Sequence, residues 1–246
     1  MASPSEPRRS CRVLIIEDHV LLAESLDLAL TMDGYDVRRL ALPEAGGSMA
    51  TLRSLALRSN PRIVLLDLDL GSFGDGTVLI APLAAAGANV VVITASTDRA
   101  RWGACMRQGA RKVLSKDQPL QEILGTVRRL HQGLPVTTAE EVEQLLEHWR
   151  AEREATEDMR RRLDSLTPRE RQILGHLIAG LTVREIARQA VVSEATVRTQ
   201  VKSILAKLEV SSQLAAVGLA NHVGWKHPEI STRLPHLRHA APESPS

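Results

Sequence analysis

Apolar residues follow two rhythms along this chain. In the first half, short and nearly all-apolar runs at 12–17, 35–39, 62–67, 89–94 and 112–115 predict strands. Between them, 21–32, 43–58, 77–86, 99–108 and 120–131 carry helical spacing. Strands that are apolar on both faces and alternate with helices imply a parallel sheet covered on both sides. Five such units make a doubly wound α/β domain with a five-stranded parallel sheet.

Gly133, Pro135 and a Thr pair break that rhythm. Residues 139–164 are charged and free of Gly and Pro, so they read as one long helix. Val142, Leu145, Trp149, Met159, Leu163 and Leu166 fall on three- and four-residue steps, with Glu152 and Thr156 at the weak positions. This imperfect heptad seam leaves two readings open, a solvated linker helix and a dimerising coiled coil.

From Leu166 to about Trp225 four helical segments follow, a small all-α domain. Thr167-Pro168-Arg169-Glu170 joins an N-cap Thr, a Pro at the first helical position and a Glu three residues after the cap. Thr182-Val183-Arg184-Glu185 repeats the capping box, and Ser193 can cap the next helix. The expected division is a flexible N-terminus 1–10, an α/β domain 11–133, a helical linker 134–164, the all-α domain 165–226 and a disordered tail 227–246.

Composition narrows the function. Apolar residues make up 43% of the 246, enough for packed cores, but aromatics are only 2%. So few rings argue against stacking on single-stranded nucleic acid and favour a duplex if any is bound. The net charge of +2 is uninformative, although residues 163–226 hold eight Lys/Arg against five Asp/Glu. Cys11 and Cys105 lack metal-ligand spacing, and neither a signal-peptide core nor an 18-residue apolar run is present. A cytoplasmic chain without a membrane partner is expected.

In open α/β sheets function gathers at the carboxyl ends of the strands. Those ends carry Glu17-Asp18, Asp67, Thr94 and Lys116. Grouped carboxylates repel unless a divalent cation sits among them, and hard oxygen donors suit Mg²⁺. A hydroxyl and an ammonium opposite would complete a pocket for a phosphoryl group.

The segments "VLIIEDH", "IVLLDLDL", "VVVITAS" and "GARKVLSK" resemble, in order, the signatures of the response-regulator receiver domain over about 12–132. The resemblance implies that Asp67 accepts a phosphoryl group from a sensor histidine kinase. It assigns Asp18 to Mg²⁺, Glu17 to the ion through water or as a second acid, and the backbone carbonyl of Asp69 as a further ligand. Thr94 and Lys116 would bind the phosphoryl oxygens. Three departures stand out. The loop Leu70-Gly71-Ser72-Phe73-Gly74-Asp75-Gly76 is one residue longer than is common in the family and lacks the usual Pro, Lys112 replaces a common Gly, and Val113 replaces the aromatic that rotates on activation.

On the helix 193–208, Val197, Val201, Ile204, Leu205 and Leu208 share one face. Ala195, Thr199, Lys202 and Ala206 occupy the other, flanked by Arg198 and Ser203, a face suited to a major groove. The short helix 182–189 before it completes helix-turn-helix geometry. "LTPRERQIL", "IAGLTVREIA" and "SEATVRTQVKSILAKLEV" resemble the LuxR/FixJ-type DNA-binding domain. The resemblance implies that Thr196, Arg198, Thr199 and Lys202 face double-stranded DNA and that the helix near Ser211 supports a homodimer in the active state. Gln200 replaces a common His.

Taken together these features describe a two-domain, DNA-binding response regulator and not an enzyme. One alternative keeps both domains without phosphorylation. A remote one reads Asp67-Leu68-Asp69 as the nucleophile motif of a haloacid-dehalogenase-like phosphatase.

Overall fold

The computed structural model describes residues 8–42 and 47–226. The chain forms two compact units, Met1–Glu152 and Arg153–Ser246. The first is built on five strands, β1 (Arg12–Ile16), β2 (Asp36–Arg39), β3 (Ile63–Asp67), β4 (Asn89–Thr94) and β5 (Lys112–Ser115). All pair in parallel in the order β2-β1-β3-β4-β5, so the order reverses between β1 and β3. That reversal opens a crevice at the carboxyl ends, where ligands of such sheets bind.

Alternate strand residues face opposite layers. Leu14, Ile16, Val64, Leu66, Val90 and Val92 pack with α2 (Met49–Arg58), α3 (Ile80–Ala85) and α4 (Arg99–Arg107). Val13, Ile15, Ile63, Leu65, Val91 and Ile93 pack with α1 (Val20–Met32) and α5 (Leu120–His131). The expected doubly wound domain is therefore present.

Its details differ from the expected helices in two places. The second helix begins at Met49 and not at residue 43, because Ser48 takes extended dihedrals and caps it by accepting from Thr51 N. The third starts as a 3-10 turn over Gly76–Leu79 before α3. Of the expected flexible N-terminus, residues 1–7 lie outside the described residues. Arg8–Ser10 instead form a 3-10 turn, with Arg8 Nη1 donating to Asp33 O at 3.2 Å. The expected tail 227–246 lies outside the described residues.

The long helix α6 (Ala139–Asp164) forms as expected, but its apolar seam does not face outward as a unit. Leu145 is 2% exposed against α4, whereas Leu163 and Leu166 lie in the core of the second unit. Both ends of the seam are thus used within the chain. The division between the two units falls at Glu152, within α6.

The second unit contains α7 (Pro168–Ile178), α8 (Val183–Gln189), α9 (Glu194–Leu208) and α10 (Gln213–His222). Both capping boxes form, at Thr167/Glu170 and Thr182/Glu185. The core gathers Ile173, Leu174, Ile186, Val197, Val201, Ile204, Leu208, Ala216 and Ala220. Among the described residues, no single helix is long and apolar enough to cross a membrane.

Candidate functional site

The sheet register places the acidic set. Ile16 pairs with Leu66, Asp67 with Ile93 and Thr94 with Ser115, so residues just past these positions share one end of the sheet. Lys116 Nζ lies 2.6 Å from Asp67 Oδ2 and 2.7 Å from Glu17 Oε1, bridging two carboxylates. Asp67 is 3% exposed, Glu17 and Thr94 are buried, and Asp18 is exposed.

Electrostatics follow from this burial. Burial pushes the Glu17 carboxyl above its ordinary value, and the Lys116 hydrogen bond opposes it only in part. Burial works to lower the Lys116 ammonium, but hydrogen bonds to Asp67 and Glu17 outweigh it and hold the group above its usual range. Lys116 stays charged. Oxygens of Glu17 and Asp18 and a ring nitrogen of His19 lie within 4.8 Å of one another.

The remaining expected residues make local bonds. Thr94 Oγ1 accepts from Ser96 N at 3.1 Å, and Asp67 Oδ1 accepts from Asp69 N at 3.2 Å. The Asp69 carboxylate turns to Arg101, whose Nη2 lies 2.9 Å from it and 3.3 Å from Asp75. An antiparallel bridge between Asp69 and Asp75 closes the long loop. Gly76 crosses so near the Asp67 carbonyl that a Cβ there would collide with it.

In the second unit, Thr196, Arg198, Thr199 and Lys202 all lie on the exposed side of α9. Arg198 pairs with Glu194 at 3.2 Å, and Thr199 Oγ1 donates to Ala195 O at 3.0 Å. Ser203, expected beside this face, instead donates to Glu170 Oε1 at 2.6 Å. Lys207 Nζ reaches Glu170 Oε2 at 2.7 Å, so one carboxylate of α7 holds two residues of α9. Burial would raise that carboxyl, but Lys207, Ser203 and Thr167 together bring it down to about 2.

Two family models match in chain order, the response regulator receiver domain over residues 13–128 and the luxR family of bacterial regulatory proteins over 164–220. A nitrate/nitrite response regulator protein homolog of Haemophilus influenzae is 30% identical over 85% of this chain and 95% of its own. The chain belongs to the LuxR-type response regulators. The nitrate/nitrite response regulator NarP of Escherichia coli is 31% identical over 83% of this chain and 92% of its own. The solved DNA complex of the response regulator RcsB aligns at 22% identity and a TM-score of 0.45, over 86% of this chain and 98% of that one.

This response regulator joins a receiver to a helix-turn-helix DNA-binding domain. Its family regulates transcription, which sets aside the phosphatase reading; Asp67-Leu68-Asp69 also follows the third strand and not the first. Two departures gain a structural account. Lys112 anchors α6 by a two-pronged bond to Glu141 at 2.8 and 3.0 Å, and Val113 is buried in the core. Sequence reasoning missed His19 at the acidic site, Arg101 of α4 paired with the loop after β3, and the Glu170 hub. A capping Asp98 followed by a basic residue three positions on was the available signal for Arg101.

Proposed function

We propose that Asp67 accepts a phosphoryl group from a phosphohistidine of a sensor kinase, and that this modification governs binding of duplex DNA by α9. The carrying observation is Lys116 bridging Asp67 and Glu17, a charged donor held at a buried carboxylate. An Asp67 oxygen attacks phosphorus as the bond to the kinase imidazole breaks, and the electron pair leaves with that ring. Lys116 is positioned to turn from Asp67 to the new phosphoryl oxygens, and Thr94 supplies a hydroxyl donor.

The donor set fits Mg²⁺. Glu17, Asp18 and Asp67 bring three carboxylates against the one ammonium of Lys116, a surplus that a hard dication balances. Glu17, Asp18, Asp67 and the backbone carbonyl of Asp69 would hold it. When bound, the ion offsets negative charge on the transferring phosphoryl group. In the second unit, Thr196, Arg198, Thr199 and Lys202 would meet the major groove, and paired copies of a cytoplasmic homodimer would match a two-fold operator.

The test is intact mass after incubation with acetyl phosphate and Mg²⁺. The wild-type chain should gain one phosphoryl group, and Asp67→Asn and Asp18→Ala should gain none. Equal labelling of Asp67→Asn would remove the assignment. The buried Val113, with no ring to rotate, favours a second reading in which the receiver acts unphosphorylated. Absence of any mass gain in the wild type would support that reading.

A further inference from the structure

We propose that the first half of α6 is a latch seated on α4, and that a hydrogen-bond relay from Thr94 through Ser96 to Trp102 controls it. The proposal rests on the reading that Asp67 is phosphorylated.

The seat is a backbone-to-backbone contact. A Cβ on Gly103 of α4 would collide with the carbonyl of Leu145 and stand 2.8 Å from Trp149 Cβ. Only glycine allows the helices this close. Around the seat, the Arg107 guanidinium lies 4.7 Å over the Trp149 ring, and Lys112 grips Glu141. The loop before α6 adds a bond from Thr137 Oγ1 to Arg111 O at 2.7 Å.

The other side of α4 is tied to the acidic site. Thr94 is fully buried, and its hydroxyl accepts from Ser96 N. The Ser96 carbonyl in turn accepts from Trp102 Nε1 at 2.9 Å. Trp102 is the residue immediately before Gly103. Arg101, one position earlier, holds Asp69 and Asp75 in the loop after β3. Both loops beside Asp67 therefore pull on the first turns of α4.

A hydroxyl that turns toward a phosphoryl group carries its lone pairs with it. Ser96 N–H must follow or lose its partner, and where it follows, the carbonyl that holds Trp102 shifts with it. Close-packed interiors pass such shifts on instead of absorbing them. At Gly103 no flexible side chain separates the helices, so displacement of α4 bears directly on Leu145. No aromatic ring at Val113 is required.

Amide hydrogen exchange of the full chain, read on peptides covering 139–152, tests the latch. With acetyl phosphate and Mg²⁺, exchange there should rise several-fold. Trp102→Phe keeps an aromatic ring but removes the N–H donor together with the pyrrole half of the indole; it should gain the phosphoryl group as wild type does, yet show no rise in exchange. Gly103→Ala should exchange fast without any phosphodonor. Unchanged exchange in the phosphorylated wild type overturns the latch, and a wild-type response from Trp102→Phe overturns the relay. A chain that gains no phosphoryl group fails the reading of Asp67 instead. In that case slow exchange in Gly103→Ala still overturns the seat.

Discussion

Lys116 and Asp67, 49 positions apart, meet at 2.6 Å because β5 and β3 end at the same edge of the sheet. The same ammonium reaches Glu17, 99 positions away. One cation thus holds two buried carboxylates that would otherwise repel.

Lys116→Met should destabilise the receiver by about 2–3 kcal/mol, below the cost of breaking a fully buried pair, since Lys116 keeps some solvent contact. A urea melt followed by circular dichroism in EDTA buffer measures this. A midpoint equal to wild type would mean the bridge contributes nothing to stability.

Glu170 predicts a pH dependence in the second unit. Its folded value of about 2 lies below the ordinary 4.5, so its contribution is full above about pH 5 and lost as pH falls toward 2. After allowance for solvent screening the contribution is up to about 2 kcal/mol. After correction for the intrinsic exchange rate, the protection of α9 amides should therefore fall between pH 5 and 3 more steeply in wild type than in Glu170→Gln. Parallel pH profiles would contradict this.

Val191, in the turn between α8 and α9, has φ of 52° and is 90% exposed. A β-branched residue in the left-handed region is strained, and exposure offers no packing in return. Val191→Gly should stabilise the second unit by about 0.5–1 kcal/mol, the relief of strain less the added chain entropy. A denaturant midpoint at or below wild type would count against the strain.

For DNA, Arg198→Ala and Lys202→Ala should weaken duplex binding without loss of helicity, because both side chains lie on the exposed face of α9. A phosphate contact lowers the salt slope by about one, and a base contact costs about 1–3 kcal/mol at one position. A salt series with operator and unrelated duplex separates the two. Wild-type affinity in both variants would take this face out of the interface.

The strands, the helices between them and the capping boxes were legible because each is a local or periodic signal. Five apolar runs predicted five parallel strands, and Thr167 and Thr182 cap as their spacing with Glu170 and Glu185 predicted. The acidic set was legible too, since strand ends in such a sheet converge whatever lies between them. The start of the second helix was misread because apolar spacing does not show that Ser48 caps it at Met49.

What only tertiary structure decided is which partner each of these residues takes. The α6 seam reads as one stripe, yet Leu145 is buried at Gly103 and Leu163 in the core of the second unit. Glu170 is a capping residue by sequence and a tie between α7 and α9 by structure. Arg101 meets Asp69 and Asp75 only because α4 passes the loop after β3. Periodicity states that a face is apolar and a spacing states that a cap can form. The approach of elements distant in the chain then sets what covers that face and which charge meets which.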